Sequence, residues 1–137
     1  MPDLPIVLIV EDDVSIQRMV EDALEEGGYE TAIAPSAEEA VTLLQGKVLN
    51  YRALVTDINL QGRMTGWDVA RKARELHPEF PIVYMTGGAA EDWGSQGVPN
   101  SILLVKPFAP AQLVTAVSQL LNSGSLNAIV IVSDCAR

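Results

Sequence analysis

Five short apolar runs recur along the chain, at residues 6–10, 31–34, 53–56, 82–85 and 102–105. They are mostly too short for helices, and they lack the clean alternation of a half-exposed strand; both traits suit parallel strands covered on two faces. The stretches between them carry helical spacing. Strands and helices in turn predict an α/β fold with a parallel sheet.

The first helical stretch places Ile16, Met19, Val20, Ala23 and Leu24 on one face and ends at Gly27-Gly28, a C-cap signal. Ser36-Ala37-Glu38-Glu39 has the form of a capping box, with Glu39 reaching back to Ser36 and Ala40, Val41, Leu43 and Leu44 as the apolar face that follows. Trp67, Ala70, Ala73 and Leu76 mark a third helix that stops at His77-Pro78, because proline disfavours helical geometry in the residue before it. Residues 89–99 contain Gly94 and Gly97, each costing about 1 kcal/mol of helix propensity relative to Ala, and predict only a short or mobile helix. Pro110 suits a first helical turn, and Leu113, Val114, Val117, Leu120 and Leu121 form the face of the last helix.

Composition narrows the class. The 137 residues fit one domain. No apolar run approaches the roughly 20 residues of a membrane-spanning helix, and the N-terminus, with Asp3 and no basic region, does not read as a secretory signal. A soluble, cytoplasmic protein is expected. The lone Cys135 fits a reducing compartment. Nine basic against eighteen acidic residues give a net charge of −9, the wrong sign for neutralising phosphates along a nucleic acid, so direct nucleic-acid binding is not expected.

In open parallel α/β sheets, ligands bind beyond the carboxyl ends of the strands. There the chain carries Glu11-Asp12-Asp13 after the first run, Asp57 after the third, Thr86-Gly87-Gly88 after the fourth and Lys106-Pro107 after the fifth. Carboxylates gathered at one edge raise one another's pKa unless a cation compensates. Mg²⁺ is the natural choice, since it prefers hard oxygen ligands and keeps coordination positions open for a phosphate oxygen. A lysine and a threonine hydroxyl facing the same point would neutralise and hydrogen-bond a phosphoryl group. Asp57 stands alone and is the candidate nucleophile, whereas Glu11 and Asp12 come as a pair suited to holding metal. Asp13 also suits the cap of the first helix.

The segments Val10-Glu11-Asp12-Asp13, Thr56-Asp57, Met85-Thr86-Gly87 and Val105-Lys106-Pro107-Phe108, in that order, resemble the receiver domain of two-component response regulators over about residues 4–122. The resemblance implies a (βα)5 flavodoxin-like fold, a doubly wound parallel five-stranded sheet. It implies Glu11 and Asp12 in an acidic pocket, Asp57 as phosphoacceptor and metal ligand, and the Asn59 backbone carbonyl completing a Mg²⁺ site. It further implies Thr86 as the switch hydroxyl, Lys106 as the phosphoryl-binding lysine, and a cis Lys106-Pro107 bond. A histidine kinase or histidine phosphotransfer protein would donate the phosphate, and an unidentified protein would receive the signal. Two departures stand out. The loop at residues 59–66 lacks a proline often found in the family and is one residue longer, and Leu103 stands where the family commonly carries an aromatic switch residue.

Two other classes compete with a signalling switch that is not itself a turnover enzyme. A Mg²⁺-dependent aspartyl-phosphate phosphohydrolase would need a second carboxylate two residues past the nucleophile, where this chain has Asn59. A non-phosphorylated receiver-like binding module would have no use for a complete acidic pocket. Gly87-Gly88 does not make a dinucleotide loop, since no G-x-G-x-x-G follows the first strand. His77 reads as a surface residue and Trp67 as core, while Trp93, also a core or partial-core candidate, is a possible partner contact. The domain reading is a receiver at 1–122 and an extension at 123–137. That extension, rich in β-branched residues at 128–132, reads either as an added strand, pairing within the molecule or in a homodimer, or as a frayed tail.

Overall fold

The computed structural model describes residues 4–46, 49–88 and 90–123; the added strand or frayed tail expected after residue 123 lies outside them. The elements run β1 (Ile6–Val10), α1 (Val14–Glu26), β2 (Glu30–Ala34), α2 (Ala37–Gly46), β3 (Tyr51–Asp57), α3 (Gly66–Leu76), β4 (Ile82–Thr86), a 3₁₀ turn (Ala90–Asp92), α4 (Trp93–Gln96), β5 (Ile102–Val105) and α5 (Pro110–Ser123). All five strands pair in parallel, in the order β2-β1-β3-β4-β5. This is the expected doubly wound α/β sheet. The strand order reverses between β1 and β3, the point at which such sheets open a crevice for a ligand.

Each strand sends alternate residues into two separate cores. Val7, Ile9, Ala53, Val55, Val83, Met85, Ile102 and Leu104 pack with α1 and α5, while Leu8, Val10, Leu54, Ile82, Tyr84 and Leu103 pack with α2 and α3. In the middle of these strands both neighbours of such a residue are therefore buried, which explains the unbroken apolar runs. Burial of each large side chain contributes about 1.5–3 kcal/mol, so the strands are positioned far more firmly than any loop contact could hold them.

Differences from the sequence reading are local. β3 begins at Tyr51, two residues before its apolar run, because the register with β1 shifts between Ile6 and Val7 and leaves the exposed Arg52 without a partner. Such a bulge lets a charged residue interrupt a central strand. The third helix begins at Gly66 under a full capping box, in which Thr65 and Asp68 bond each other's backbone. In α2, Ser36 Oγ accepts from Glu39 N at 3.1 Å as expected, but Leu43 is 37% exposed and faces away from the core. The weak fourth segment forms one 3₁₀ turn and one helical turn. Trp67 is buried as expected and meets Tyr84 edge-on with ring centroids 4.7 Å apart. Trp93 is half-buried against the same core, and its indole N–H donates to Ser101 Oγ at 3.0 Å, so it is an internal tether of its segment. His77 is exposed. Among the described residues no helix is long and apolar enough to cross a membrane.

Candidate functional site

The carboxyl ends of β1 and β3 lie side by side, with Val10 paired to both Ala34 and Thr56. Glu11 follows Val10 and continues the pairing through its N–H, which donates to Ala34 O at 3.2 Å. Asp57 is the last residue of β3 and pairs with Met85 of β4. Carboxylate oxygens of Glu11, Asp12 and Asp57 all come within 4.8 Å of one another. The sheet thus assembles three residues that the sequence separates by up to 46 positions, taking 57 minus 11.

Lys106 reaches this group from the end of β5. Its Nζ lies 3.3 Å from Asp57 Oδ1 and 3.5 Å from Glu11 Oε1. Its backbone N–H donates to Thr86 O at 2.7 Å, which continues the β4–β5 pairing and fixes the start of the side chain. The Lys106-Pro107 peptide is cis, and Phe108 is buried in the α1/α5 core.

Glu11 is 1% exposed and Asp57 5%, and burial is the largest influence on both carboxyls. Glu11 is pushed up to about 7, chiefly by desolvation, with the charge of Asp57 adding to the rise while the Asp13 N–H and Lys106 oppose it. Asp57 is raised too, by desolvation first and by the Asp12 charge, against the pull of Lys106 and the Ile58 N–H. One ammonium facing three carboxylates leaves excess negative charge in a poorly solvated site.

The surrounding backbone holds these groups in place. Asp13 caps α1, its Oδ1 accepting from Ser15 N at 2.9 Å and Ile16 N at 3.3 Å. Gln17 Nε2 donates to Glu11 O at 2.7 Å, tying the carboxyl end of β1 to the first turns of α1. Asp12 Oδ2 accepts from Gln61 N at 3.1 Å, so the loop after β3 is anchored to the acidic group itself. Leu60 is buried in the core, and Gly62 supplies the positive φ of 108° that turns the chain back. Gly66 N then donates to Ile58 O at 2.9 Å. The approach is so close that a Cβ on Gly66 would fall inside the contact distance of the Asp57 carbonyl oxygen and only 2.8 Å from Ile58 Cα.

Of the residues predicted from the sequence, Glu11, Asp12, Asp57 and Lys106 meet at one point. Thr86 ends β4 at the same edge but is fully buried, and its Oγ1 accepts from Gly88 N at 3.1 Å. Asn59 is exposed at the start of the β3–α3 loop, two residues past Asp57. The sequence reading missed Gln61 and Gly66. Gly66 could have been suspected, since it directly follows Thr65 inside the Thr65-x-x-Asp68 box and opens a helix, whereas the Gln61 contact is made by a backbone amide and leaves no side-chain signal.

Comparison with known proteins agrees with this fold. A family model described as the response regulator receiver domain matches residues 7–118. The chain is 33% identical over 118 residues to the transcriptional regulatory protein SrrA of Staphylococcus aureus, covering 85% of this chain and 47% of that one. It spans about half the length of the curated relatives it matches. Among solved structures, a response regulator receiver protein from Sinorhizobium medicae superposes with a TM-score of 0.85 at 42% identity, over 88% of this chain and 96% of that one. The receiver domain of NtrX from Brucella abortus gives 0.73 at 30% identity, over 85% and 98%.

Proposed function

This chain belongs to the response regulator receiver domain family, and from that premise we propose that it is a cytoplasmic phosphorylation switch in which Asp57 accepts a phosphoryl group from a histidine kinase or histidine phosphotransfer protein. The observation that carries this reading is the buried Asp57 carboxylate, paired with Lys106 at 3.3 Å and set among two further carboxylates at the β1/β3 edge. An ordinary strand-end aspartate has no need of such company.

The donor set fits Mg²⁺. Three carboxylates in mutual reach offer hard oxygens, and two of them are destabilised as anions by burial. Glu11, Asp12 and Asp57, with the Asn59 carbonyl, would hold the ion, which when bound supplies positive charge beside the phosphoryl oxygens. In the transfer, an Asp57 Oδ–P bond forms as the P–N bond of the donor phosphoimidazole breaks. The imidazole nitrogen keeps the electron pair and takes a proton from solvent. Lys106 Nζ lies against Asp57 Oδ1 and neutralises charge on the incoming phosphoryl oxygens. Thr86 would give up its bond to Gly88 N and donate its hydroxyl to the phosphoryl group, carrying the change into the segment after β4.

Asn59 in place of a second carboxylate supports a switch over a turnover phosphohydrolase. The net charge of −9 favours output through protein contacts over direct nucleic-acid binding. The test is to treat wild type and Asp57→Asn with acetyl phosphate and Mg²⁺ and measure intact mass with peptide mapping. One phosphate is expected on wild type and none on the variant; equal incorporation in both would sink the assignment of Asp57.

A further inference from the structure

Tyr84 occupies the middle of β4 and is fully buried. It projects from the same face of the strand as Thr86, two residues further on, because side chains alternate along a strand. Both side chains act on one connection, the segment from β4 to β5. Thr86 Oγ1 accepts from Gly88 N at 3.1 Å near its start, and the Tyr84 hydroxyl accepts from Val98 N at 3.1 Å near its end. Two side chains on one strand face therefore pin both ends of the 3₁₀ turn and α4.

The far end is held by further hydrogen bonds. Val98 O accepts from Ser101 Oγ at 2.7 Å, and Ser101 Oγ in turn accepts from the Trp93 indole. From α3, Arg71 Nη2 donates to Gln96 O at 3.2 Å and Arg74 Nη1 to Pro99 O at 2.6 Å. The carbonyls around Val98 thus have cationic donors, whereas the Val98 N–H has the Tyr84 oxygen. Tyr84 is itself wedged by Trp67 and lies beside Leu103 in the β4–β5 register, so its ring has no freedom to follow a moving loop. Among the described residues its own O–H proton meets no acceptor, which leaves the Val98 N–H as the hydroxyl's single partner.

We propose that Tyr84 is the positioning residue of the switch: its hydroxyl fixes Val98 as the pivot at which movement begun at Thr86 stops. This rests on the phosphoacceptor reading above and adds to it where the moving segment ends. A change at Thr86 frees the near anchor only, so the segment swings between residues 87 and 97, and β5 with Lys106 stays in place. Without the hydroxyl the Val98 N–H loses its partner and the displacement runs on toward β5.

Amide hydrogen exchange on wild type and Tyr84→Phe, each with Mg²⁺ and with or without beryllofluoride, tests this. The phenylalanine keeps the ring against Trp67, and near-ultraviolet circular dichroism checks that the core is retained. In wild type, beryllofluoride should alter exchange in residues 87–97 and leave Val98 protected. In Tyr84→Phe, Val98 should exchange on the order of tenfold faster before any beryllofluoride is added, as loss of one ordinary hydrogen bond allows, and the response should spread through residues 98–101. Unchanged Val98 exchange, or a response confined to 87–97 in both proteins, overturns the role of Tyr84 while the phosphoacceptor reading stands. No response in wild type overturns the phosphoacceptor reading, and the pivot falls with it.

Discussion

Replacing Gly66 with alanine adds a single methyl group at the tightest point of the site. The new Cβ would overlap the Asp57 carbonyl oxygen and stand 2.8 Å from Ile58 Cα and 2.9 Å from the Asp57 carbonyl carbon. All three are backbone atoms of the end of β3, so no rotamer change relieves the clash. Overpacking of this kind costs about 1–3 kcal/mol, and separating α3 from β3 also weakens the Gly66 N to Ile58 O hydrogen bond, worth about 1 kcal/mol. The better helix propensity of alanine returns up to about 1 kcal/mol. A net loss of about 1–3 kcal/mol is expected, which at a urea dependence of about 1–3 kcal/mol per molar lowers the unfolding midpoint by on the order of 1 M. Gly46→Ala and Gly94→Ala are the matched controls, since a Cβ at either meets nothing within 4 Å, and both should be neutral or slightly stabilising. An unchanged midpoint for Gly66→Ala would refute the close approach and, with it, the view that α3 is seated on the backbone of Asp57.

Two further outcomes follow from the charges of the site. Because the Glu11 carboxyl is raised to about 7 in the fold from an ordinary 4.5, its stabilising proton is fully held below pH 4.5 and lost as pH rises through 7, a decline of about 3 kcal/mol. In EDTA, wild type should therefore lose stability relative to Glu11→Gln between pH 4.5 and 8 in urea titrations, and a pH-independent gap would contradict the burial argument. Lys106→Met removes the ammonium 3.3 Å from Asp57 and 3.5 Å from Glu11; since Lys106 keeps 24% of its side chain exposed, the metal-free loss should be about 2 kcal/mol, below that of a fully buried pair. Calorimetry should still find Mg²⁺ binding in this variant, and its loss would show that Lys106 organises the ligands instead of only neutralising them.

Much of this architecture was legible in the sequence because one physical rule covers it: strands buried on both faces are written as apolar runs, and the reactive residues stand where those runs end. Glu11, Asp12, Asp57 and Lys106 were found that way. What escaped was governed by backbone geometry. Arg52 hides the start of β3 because a bulge, not a pattern of side chains, accommodates it. Gln61 meets Asp12 through its amide, which any residue type would supply. Tyr84 reads as one more apolar residue in its run, and its hydroxyl acquires meaning only when the fold brings Val98 to it.

The hydrogen bonds at the two ends of the β3–α3 loop also govern how its length can vary. Gln61 N is committed to Asp12 and Gly66 N to Ile58 O, while Leu60 is buried in the core. Gln61 and Gly66 are therefore fixed stations, and an inserted or deleted residue at either would present the wrong amide to its acceptor. Gly62 and Arg63 are exposed, and the first already turns with positive φ. A change in loop length is therefore best accommodated there, in a two-residue crest that can grow or shrink without moving either acidic partner.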